Sequence, residues 1–339
     1  MSSTRGGSAD MPVLSVRDLS VRAGDLPLVH GVSFDLSAGE RVGLIGESGS
    51  GKSLTALAVM GLLGKGLTAQ GQVLFEGQDL MSTTEKRRCQ LRGNGLSMVF
   101  QEPMTALNPT MRVGRQIGEV LRVHRNLGKR AAREQARGLM ERVDIPDPVH
   151  YERHYPHQLS GGQRQRIMLA MATACEPSVI LADEPTTALD VTVQSRMLEL
   201  MRKLVAEQNS ALLLITHDLA VVSEMSDRIL TMYGGHIVES GSTKSLLDHP
   251  RHPYTSALVA TSNAVTVDSK APAGALPMIE GSVPATGQFP TGCPFRDRCP
   301  RADEKCAVMP PLEPLGDQVV ACWHPVPENA GDPASRVGA

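Results

Sequence analysis

The segment at residues 46–53 constrains the fold of this chain more than any other feature. It reads Gly-Glu-Ser-Gly-Ser-Gly-Lys-Ser, which is the spacing of glycine, lysine and serine found in loops that bind phosphate. Glycines let the backbone curl until several N–H groups point at one anion. An apolar run at residues 42–45 precedes the loop, and a helix-like stretch at residues 54–63 follows it. This order of strand, loop and helix predicts a nucleotide site.

The loop also contains side chains suited to a nucleotide and its metal. The Lys52 ammonium can reach the β- and γ-phosphates, and the Ser53 hydroxyl can ligate Mg²⁺. We therefore expect Lys52 to act in catalysis as well as in binding. The predicted nucleotide-binding residues are Gly46, Glu47, Ser48, Gly49, Ser50, Gly51, Lys52, Ser53 and Leu54, together with Ala23 at the position of the base.

Two carboxylates follow another apolar run, at residues 179–182. In phosphate-loop enzymes the ligands to Mg²⁺ lie at the carboxyl end of a neighbouring strand. We expect Asp183 to orient Mg²⁺ and Glu184 to polarise the attacking water. Both apolar runs, here and at residues 211–215, are typical of strands buried in a parallel sheet.

Two more polar side chains follow predicted strands. Gln101 ends a strand predicted at residues 96–100, where it can reach the metal and the water; an ordinary loop glutamine is an equal alternative. His217 follows the strand at residues 211–215. It can bond to the γ-phosphate there, or it is a structural histidine.

A second anion-binding feature occurs at residues 159–163, Leu-Ser-Gly-Gly-Gln, which open a helix predicted over residues 163–174. Ser-Gly-Gly before a helix places free N–H groups at its start. The chain then has two phosphate cradles but one lysine-bearing loop. A head-to-tail dimer, in which this helix covers the nucleotide of the partner chain, is the simplest arrangement.

Taken together, these motifs resemble an ABC transporter ATPase subunit over residues 13–255, and the motif at 159–163 is the most specific of them. The resemblance implies that Gln101 couples the nucleotide to membrane subunits, that Glu184 is the catalytic base and that His217 is the switch histidine. The residues implied to contact ATP or the dimer interface in trans are Ser160, Gly161, Gly162, Gln163 and Asp190. The implied Mg²⁺ ligands are Ser53, Gln101 and Asp183.

The implied fold is α/β, with a phosphate-loop (RecA-like) core, an antiparallel β subdomain and an inserted α-helical subdomain at about residues 102–172. Apolar spacing predicts helix over residues 113–144 within that insertion. Residues 1–12 are a polar tail that we expect to be disordered. Residues 256–339, rich in Pro, Gly, Ala and Cys, predict a loop-rich C-terminal extension.

Three further segments, at residues 182–194, 252–258 and 292–300, narrow the resemblance to the dipeptide/oligopeptide/nickel importer ATPases, and to the D subunit of bacterial peptide permeases in particular. This resemblance implies a subunit that hydrolyses ATP to power uptake of di- and oligopeptides; a nickel or other small-solute importer is the alternative. The implied partners are a paralogous ATPase (or a second copy of the chain), two transmembrane permease subunits and, indirectly, an extracytoplasmic solute-binding protein.

Several features of the sequence argue against other classes of protein. The net charge of −2 argues against a nucleic-acid binder held by bulk electrostatics. A DNA-repair ABC ATPase is disfavoured because no sustained heptads follow the phosphate loop, and a binding-only partner is disfavoured because Glu184 and His217 are both present. With no signal-like or membrane-spanning apolar segment, we expect a cytosolic chain unless a partner holds it at a membrane. The family resemblance implies a peripheral protein on the cytoplasmic face of the bacterial inner membrane.

One position departs from the family pattern. The aromatic residue that stacks on adenine in ABC ATPases is replaced by Ala23. Leu26 or Val29 are the apolar substitutes nearby, and a lost stacking partner costs about 1 kcal/mol of affinity. The sequence therefore predicts weaker selectivity for adenine, with similar turnover of ATP and GTP.

The C-terminal extension contains four of the six cysteines: Cys293, Cys299, Cys306 and Cys322. Four thiolates suit Zn²⁺ or an iron–sulfur cluster, whereas scattered free thiols are the alternative without a metal. The close C-x₂₋₄-C pairs of structural zinc sites are missing. The wider spacing favours a [4Fe–4S] cluster, which the resemblance to some peptide-importer ATPases also implies.

Overall fold

A computed structural model describes residues 11–187, 190–266 and 279–327. The predicted disordered tail at 1–12 lies outside these ranges except for its last two residues. The strands are, in chain order, β1 (Leu14–Ala23), β2 (Leu26–Leu36), β3 (Arg41–Ile45), β4 (Leu67–Phe75), β5 (Gln78–Asp79), β6 (Leu96–Val99), β7 (Val179–Asp183), β8 (Ala211–Ile215), β9 (Arg228–Tyr233), β10 (His236–Ser242), β11 (Glu313–Leu315) and β12 (Gln318–Val320).

Helices cover most of the chain between these strands. They are α1 (Lys52–Met60), α2 (Glu85–Leu91), α3 (Pro103–Ala106), α4 (Val113–Arg125), α5 (Lys129–Arg142), α6 (Pro148–Tyr151), α7 (Gly161–Thr173), α8 (Val191–Gln208), α9 (Leu219–Met225), α10 (Thr243–Asp248) and α11 (Pro253–Thr266). Short 3₁₀ turns occur at Pro156–Gln158, Arg296–Arg298 and Glu304–Ala307.

The central sheet has the order β11-β12-β10-β9-β3-β8-β7-β6. Its strands from β9 to β6 are parallel. Strands β7 and β8 are buried along their whole length, as expected when helices cover both faces of a parallel sheet. Because parallel strands end at one edge, the segments that follow β3, β6, β7 and β8 meet there, where ligands bind in open α/β sheets.

A second, antiparallel sheet of order β2-β1-β4-β5 packs against α1 and one face of the central sheet. Its core includes Leu14, Phe34 and Phe75, which share a cluster with Leu44 and Leu213 of the central strands. The other face of the central sheet is covered by α7 and α8, in a separate apolar cluster. The predicted α/β fold is thus confirmed.

The inserted helices differ in detail from the sequence prediction. Continuous helix was expected over 113–144, but α4 ends at Asn126, which has a left-handed φ of 53°, and α5 starts after Gly128. Asparagine tolerates that conformation and commonly ends helices. The apolar stripe continues on both sides of the break, since Ile117 of α4 and Met140 of α5 lie in one apolar cluster. For that reason the spacing of apolar residues could not reveal the break.

The C-terminal extension is more ordered than its composition suggested. The β11–β12 hairpin continues the central sheet, with Val320 paired to Glu239 of β10. A small aromatic core joins the extension to the sheet, since Phe295 packs on Tyr233 and Tyr254. The extension is therefore packed onto the central sheet.

Candidate functional site: a nucleotide pocket at the sheet edge

The loop at residues 46–53 has the backbone that its glycines predict. Gly46, Gly49 and Gly51 have φ values of 152°, 80° and 100°. A Cβ atom on Gly46 would lie 2.1 Å from the Met232 carbonyl oxygen, so a side chain there is excluded. Helix α1 begins at Lys52 without a side-chain cap. Its first N–H groups are therefore free to bind an anion.

Lys52 lies over this loop. Its Nζ donates to the carbonyl oxygens of Gly46 at 2.8 Å and Glu47 at 2.9 Å. Burial lowers the pKa of the Lys52 ammonium below its ordinary value, although the carboxylates of Glu184 and Asp183 oppose this. The ammonium is thus held beside the cradle, where a phosphate would give it a better partner than two neutral carbonyls.

Ser53 and Asp183 form the pair of oxygens predicted to serve Mg²⁺. The Ser53 hydroxyl donates to Asp183 Oδ1 at 2.9 Å. Burial raises the pKa of the Asp183 carboxyl, and the bond from Ser53 opposes that rise. Hydroxyl and carboxylate oxygens are the donors that Mg²⁺ prefers, so the two residues fit such an ion.

Glu184 is the centre of a hydrogen-bond network beyond the strand β7. Gln101 Nε2 and Thr187 Oγ1 donate to its Oε2, both at 2.9 Å, and His217 Nδ1 lies 3.0 Å from its Oε1. Burial raises the pKa of the Glu184 carboxyl, but the bonds from His217 and Thr187 outweigh it and keep this pKa below its usual value. An ionised carboxylate can only accept, so the Nδ1 of His217 carries the proton. The sequence did not point to Thr187.

The backbone of Glu184 is itself unusual, with a left-handed φ of 43°. Its N–H bonds to the Ile215 carbonyl of the neighbouring strand at 2.8 Å. Such strain in a residue without glycine's freedom costs of order 1 kcal/mol and is common at functional sites. Gln101 was expected to be a ligand of Mg²⁺, and its amide nitrogen donates to Glu184 in this structure. Its role as a metal ligand stays a prediction.

The helix start at Ser160 is capped as the sequence predicts. Its hydroxyl accepts from the Gln163 N–H at 3.2 Å, and the Gln163 side chain accepts in return from the Ser160 N–H at 3.0 Å. Asp190 caps the start of α8 by accepting from the Val193 N–H at 3.0 Å. A Cβ on Gly162 would lie 2.8 Å from Val193, so the two helix starts are adjacent. They form an exposed surface outside the nucleotide pocket of their own chain.

A cavity of about 310 Å³ lies in front of the loop. The predicted residues that line it are Ser48, Gly49, Gly51, Lys52, Ser53, Leu54, Gln101 and Glu184. Ala23 is not among its lining residues. Of the two apolar substitutes suggested for the missing ring, Leu26 is exposed and does not line the cavity, and Val29 is fully buried. His30, which the sequence analysis overlooked, lines the cavity and stacks on His236 with ring centroids 4.3 Å apart. Thr286, Gly287 and Phe289 of the extension also line it.

The four cysteines of the extension converge on one narrow pocket next to α11. Burial, reinforced by the neighbouring Cys306 and Cys299, raises the pKa of the Cys293 thiol to about 11. Among the described residues, the ligand atoms of Asp303, Cys306 and His324 form the one group of three or more lying within 4.8 Å of each other. Asp303 and His324 were not predicted from the sequence.

No three of the four cysteine sulfurs in the described part of the chain lie within 4.8 Å of one another. The [4Fe–4S] cluster and the zinc ion considered for these cysteines both stay predictions.

No helix of the described residues is long and apolar enough to cross a bilayer. Two family models match the chain. One, described as "ABC transporter", covers residues 29–187, and the other, "Oligopeptide/dipeptide transporter, C-terminal region", covers residues 238–306.

Curated relatives match over nearly the whole chain. The oligopeptide transport ATP-binding protein AppD of Bacillus subtilis is 47% identical over 88% of this chain and 91% of its own. The dipeptide transport ATP-binding protein DppD of Haemophilus influenzae is 44% identical over 97% of this chain and 100% of its own. OppD of Escherichia coli, an oligopeptide transport ATP-binding protein, is 43% identical over 93% of this chain and 94% of its own.

Among solved structures, the ATP-binding cassette MJ0796 in a post-hydrolysis dimer with ADP and Pi is similar, with a TM-score of 0.61 and 25% identity over 68% of this chain and 98% of that one. The structure of cbiO1 from Clostridium perfringens shares the fold, with a TM-score of 0.60 and 24% identity over 69% of this chain and 90% of that one. The loop, the carboxylates and the extension agree with these likenesses. The chain therefore belongs to the ABC transporter ATPases, within the group of oligopeptide and dipeptide transport ATP-binding proteins.

Proposed function

We propose that this chain hydrolyses ATP to power the import of di- and oligopeptides through partner membrane subunits. The observation that carries the catalytic part is the Glu184 carboxylate, which Gln101, Thr187 and His217 hold beside the phosphate loop. The peptide substrate is supported by the names of the curated relatives.

In the proposed reaction, water attacks the γ-phosphorus of ATP, and Glu184 accepts one of its protons. The bond from the γ-phosphorus to the bridging oxygen breaks, and its electrons leave with ADP. Backbone N–H groups of the loop and Lys52 stabilise the charge on the phosphates. Mg²⁺, held by Ser53 and Asp183 with Gln101 as a further ligand, would neutralise the β- and γ-phosphates.

The complete site takes its second half from another chain. The exposed surface formed by Ser160–Gln163 and Asp190 is separate from the pocket of its own chain. A head-to-tail pairing would bring this surface onto the partner's nucleotide, and the capped helix start offers free N–H groups to the γ-phosphate. The proposed partner is a paralogous ATPase in a heterodimer, with a second copy of this chain as the alternative.

We further propose that the dimer binds two transmembrane permease subunits at the cytoplasmic face of the bacterial inner membrane. A solute-binding protein outside the membrane would deliver the solute. The proposed division of the chain is an ATPase domain at 13–255, with its helical subdomain at 102–172, and an extension at 256–339, of which 267–278 and 328–339 lie outside the described residues. The resident group proposed for the extension is a [4Fe–4S] cluster on Cys293, Cys299, Cys306 and Cys322, with Zn²⁺ as the alternative.

A reconstituted transporter tests the function. Two candidate permease subunits and a candidate second ATPase subunit would be placed in vesicles with either wild type or Glu184→Gln. We expect labelled dipeptide to accumulate only with wild type, in proportion to ATP hydrolysed. ATP-driven accumulation of nickel without any peptide uptake would instead support the alternative solute. The absence of both peptide and nickel uptake would overturn the proposal.

A further inference from the structure

The C-terminal extension reaches the nucleotide pocket. Thr286, Gly287 and Phe289 of the extension line the same cavity as the phosphate loop. A Cβ on Gly287 would lie 2.8 Å from Leu26 Cδ1, and a Cβ on Gly234 would lie 3.0 Å from the Phe289 ring. The extension therefore packs directly against the strands that form the pocket wall.

Phe289 is held firmly in this position. Its ring meets the buried Tyr233 edge to face, with centroids 5.8 Å apart and planes at 89°. A little farther along the extension, Arg298 donates to Glu47 of the phosphate loop at 2.7 Å and to the Tyr233 hydroxyl at 3.1 Å. Three contacts thus join this part of the extension to the loop and to β9.

The chemistry of the cavity differs from one part to another. Lys52, Ser53 and Glu184 offer charge and hydrogen bonds suited to phosphates and a metal ion. Away from the phosphate loop, Gln101 and Glu184, the wall has no charged side chain and is formed by Pro27, Leu28, His30, Gly234, Thr286, Gly287 and Phe289. Burial, with the nearby Arg22 charge, lowers the pKa of His30, which favours the neutral form of its ring. Neutral rings and apolar atoms suit a flat heteroaromatic base.

We propose that Phe289 is the base-stacking residue of this site, supplied by the extension in place of the ring that Ala23 lacks. The extension is then part of the nucleotide pocket. This inference rests on the proposed nucleotide site and adds to it a residue for the base. Stacking on a phenyl ring does not distinguish adenine from guanine, because every base has a π-face.

Calorimetric binding to the full-length chain with Mg²⁺ tests the inference, using ATP, GTP and inorganic tripolyphosphate. We expect Phe289→Ala to weaken ATP and GTP binding by about 3- to 10-fold, as for loss of one aromatic pair. Tripolyphosphate has no base, so its affinity should not change. Phe289→Tyr keeps the ring and should restore nucleotide affinity.

Leu312→Ala is the matched control, since Leu312 is an exposed apolar residue of the same extension that does not line the cavity. It should bind all three ligands like wild type. Unchanged or tighter nucleotide binding by Phe289→Ala, or equal weakening of ATP and tripolyphosphate, would overturn the role of Phe289. If wild type binds none of the three ligands, the nucleotide site itself is wrong.

Discussion

Arg298 Nη1 lies 2.7 Å from Glu47 Oε2, although the two residues are 251 positions apart in the chain. Arg298 directly precedes Cys299 of the cysteine pocket, and the Glu47 carbonyl oxygen accepts a hydrogen bond from Lys52 Nζ. The Arg298 side chain is only 7% exposed. This ion pair joins the C-terminal extension to the phosphate loop.

The first prediction is that this pair stabilises the fold. Removing one partner leaves the other charge poorly solvated, so Arg298→Met and Glu47→Gln should each destabilise the chain. We expect a coupling of about 1–3 kcal/mol in a double-mutant cycle of urea unfolding. The exposed pair Arg142–Glu207 is the control and should couple by about 0.5 kcal/mol or less. Equal coupling for both pairs would contradict the prediction.

The second prediction concerns Glu184. Glu184→Gln keeps the shape of the side chain but cannot accept a proton from water, so ATP turnover should fall by about 100-fold or more. Nucleotide-driven association of the chains should persist. Phosphate release and sedimentation would measure the two properties. Thr187→Val, which removes one of the bonds to this carboxylate, should lower turnover by a smaller factor; unchanged turnover in Glu184→Gln would refute its role.

The third prediction separates helix capping from nucleotide contact at Ser160. Asn and Asp both cap helices well, so Ser160→Asn and Ser160→Asp should fold like wild type. The added charge of Ser160→Asp should repel the partner's γ-phosphate and weaken ATP-dependent association by about tenfold or more. Ser160→Asn is the neutral control and should associate more tightly than Ser160→Asp. If the two variants associate alike, a contact in trans is ruled out.

The fourth prediction is a pH dependence of stability at Glu152, whose side chain is 4% exposed and accepts from Arg137 at 2.7 Å and from Arg133. Burial raises the pKa of the Glu152 carboxyl, but the bonds from Arg137 and Arg133 bring that pKa down to about 2, from an ordinary value of 4.5. Because the folded-state pKa is depressed, the stabilisation is complete above about pH 4.5 and disappears as the pH falls toward 2.

Glu152→Gln should therefore reduce the free energy of unfolding by about 2–3 kcal/mol at pH 7. Below pH 4.5 the difference in free energy of unfolding between variant and wild type should become smaller. Urea unfolding at several pH values would measure it. Glu119→Gln is the control, because Glu119 forms a more exposed pair with Arg122. A gap that stays constant as the pH falls would show that the carboxylate charge is not responsible.

The fifth prediction concerns the four cysteines. Anaerobically purified protein should absorb light at about 400 nm and contain about four iron atoms and four sulfide ions per chain. Cys306→Ser should lose this absorbance, whereas Cys89→Ser, at an exposed position on α2, should keep it. Stoichiometric zinc without iron would contradict the cluster, and a metal-free protein would leave the alternative of free thiols.

The phosphate loop, Asp183, Glu184 and the Ser160 helix start could all be predicted from sequence because each is a local pattern. A glycine-rich turn, a carboxylate after an apolar strand and a capping serine have a structure determined within a few residues. The meeting of the phosphate loop, Asp183 and Glu184 at one edge of the sheet was also predictable, since parallel strands end together. The break at Asn126 was missed because the apolar stripe continues across it.

Local sequence patterns were enough to predict phosphate binding, water activation and a site of four thiols. Which further residues complete the pocket follows from the tertiary structure alone. Phe289 and His30 belong to no recognised motif, and Thr187, although it lies in the segment at 182–194, had no predicted role. The placement of Phe289 depends on contacts between segments more than two hundred positions apart, such as Arg298 with Glu47. Contacts of that range depend on how the extension packs on the sheet, which hydrophobic periodicity does not encode.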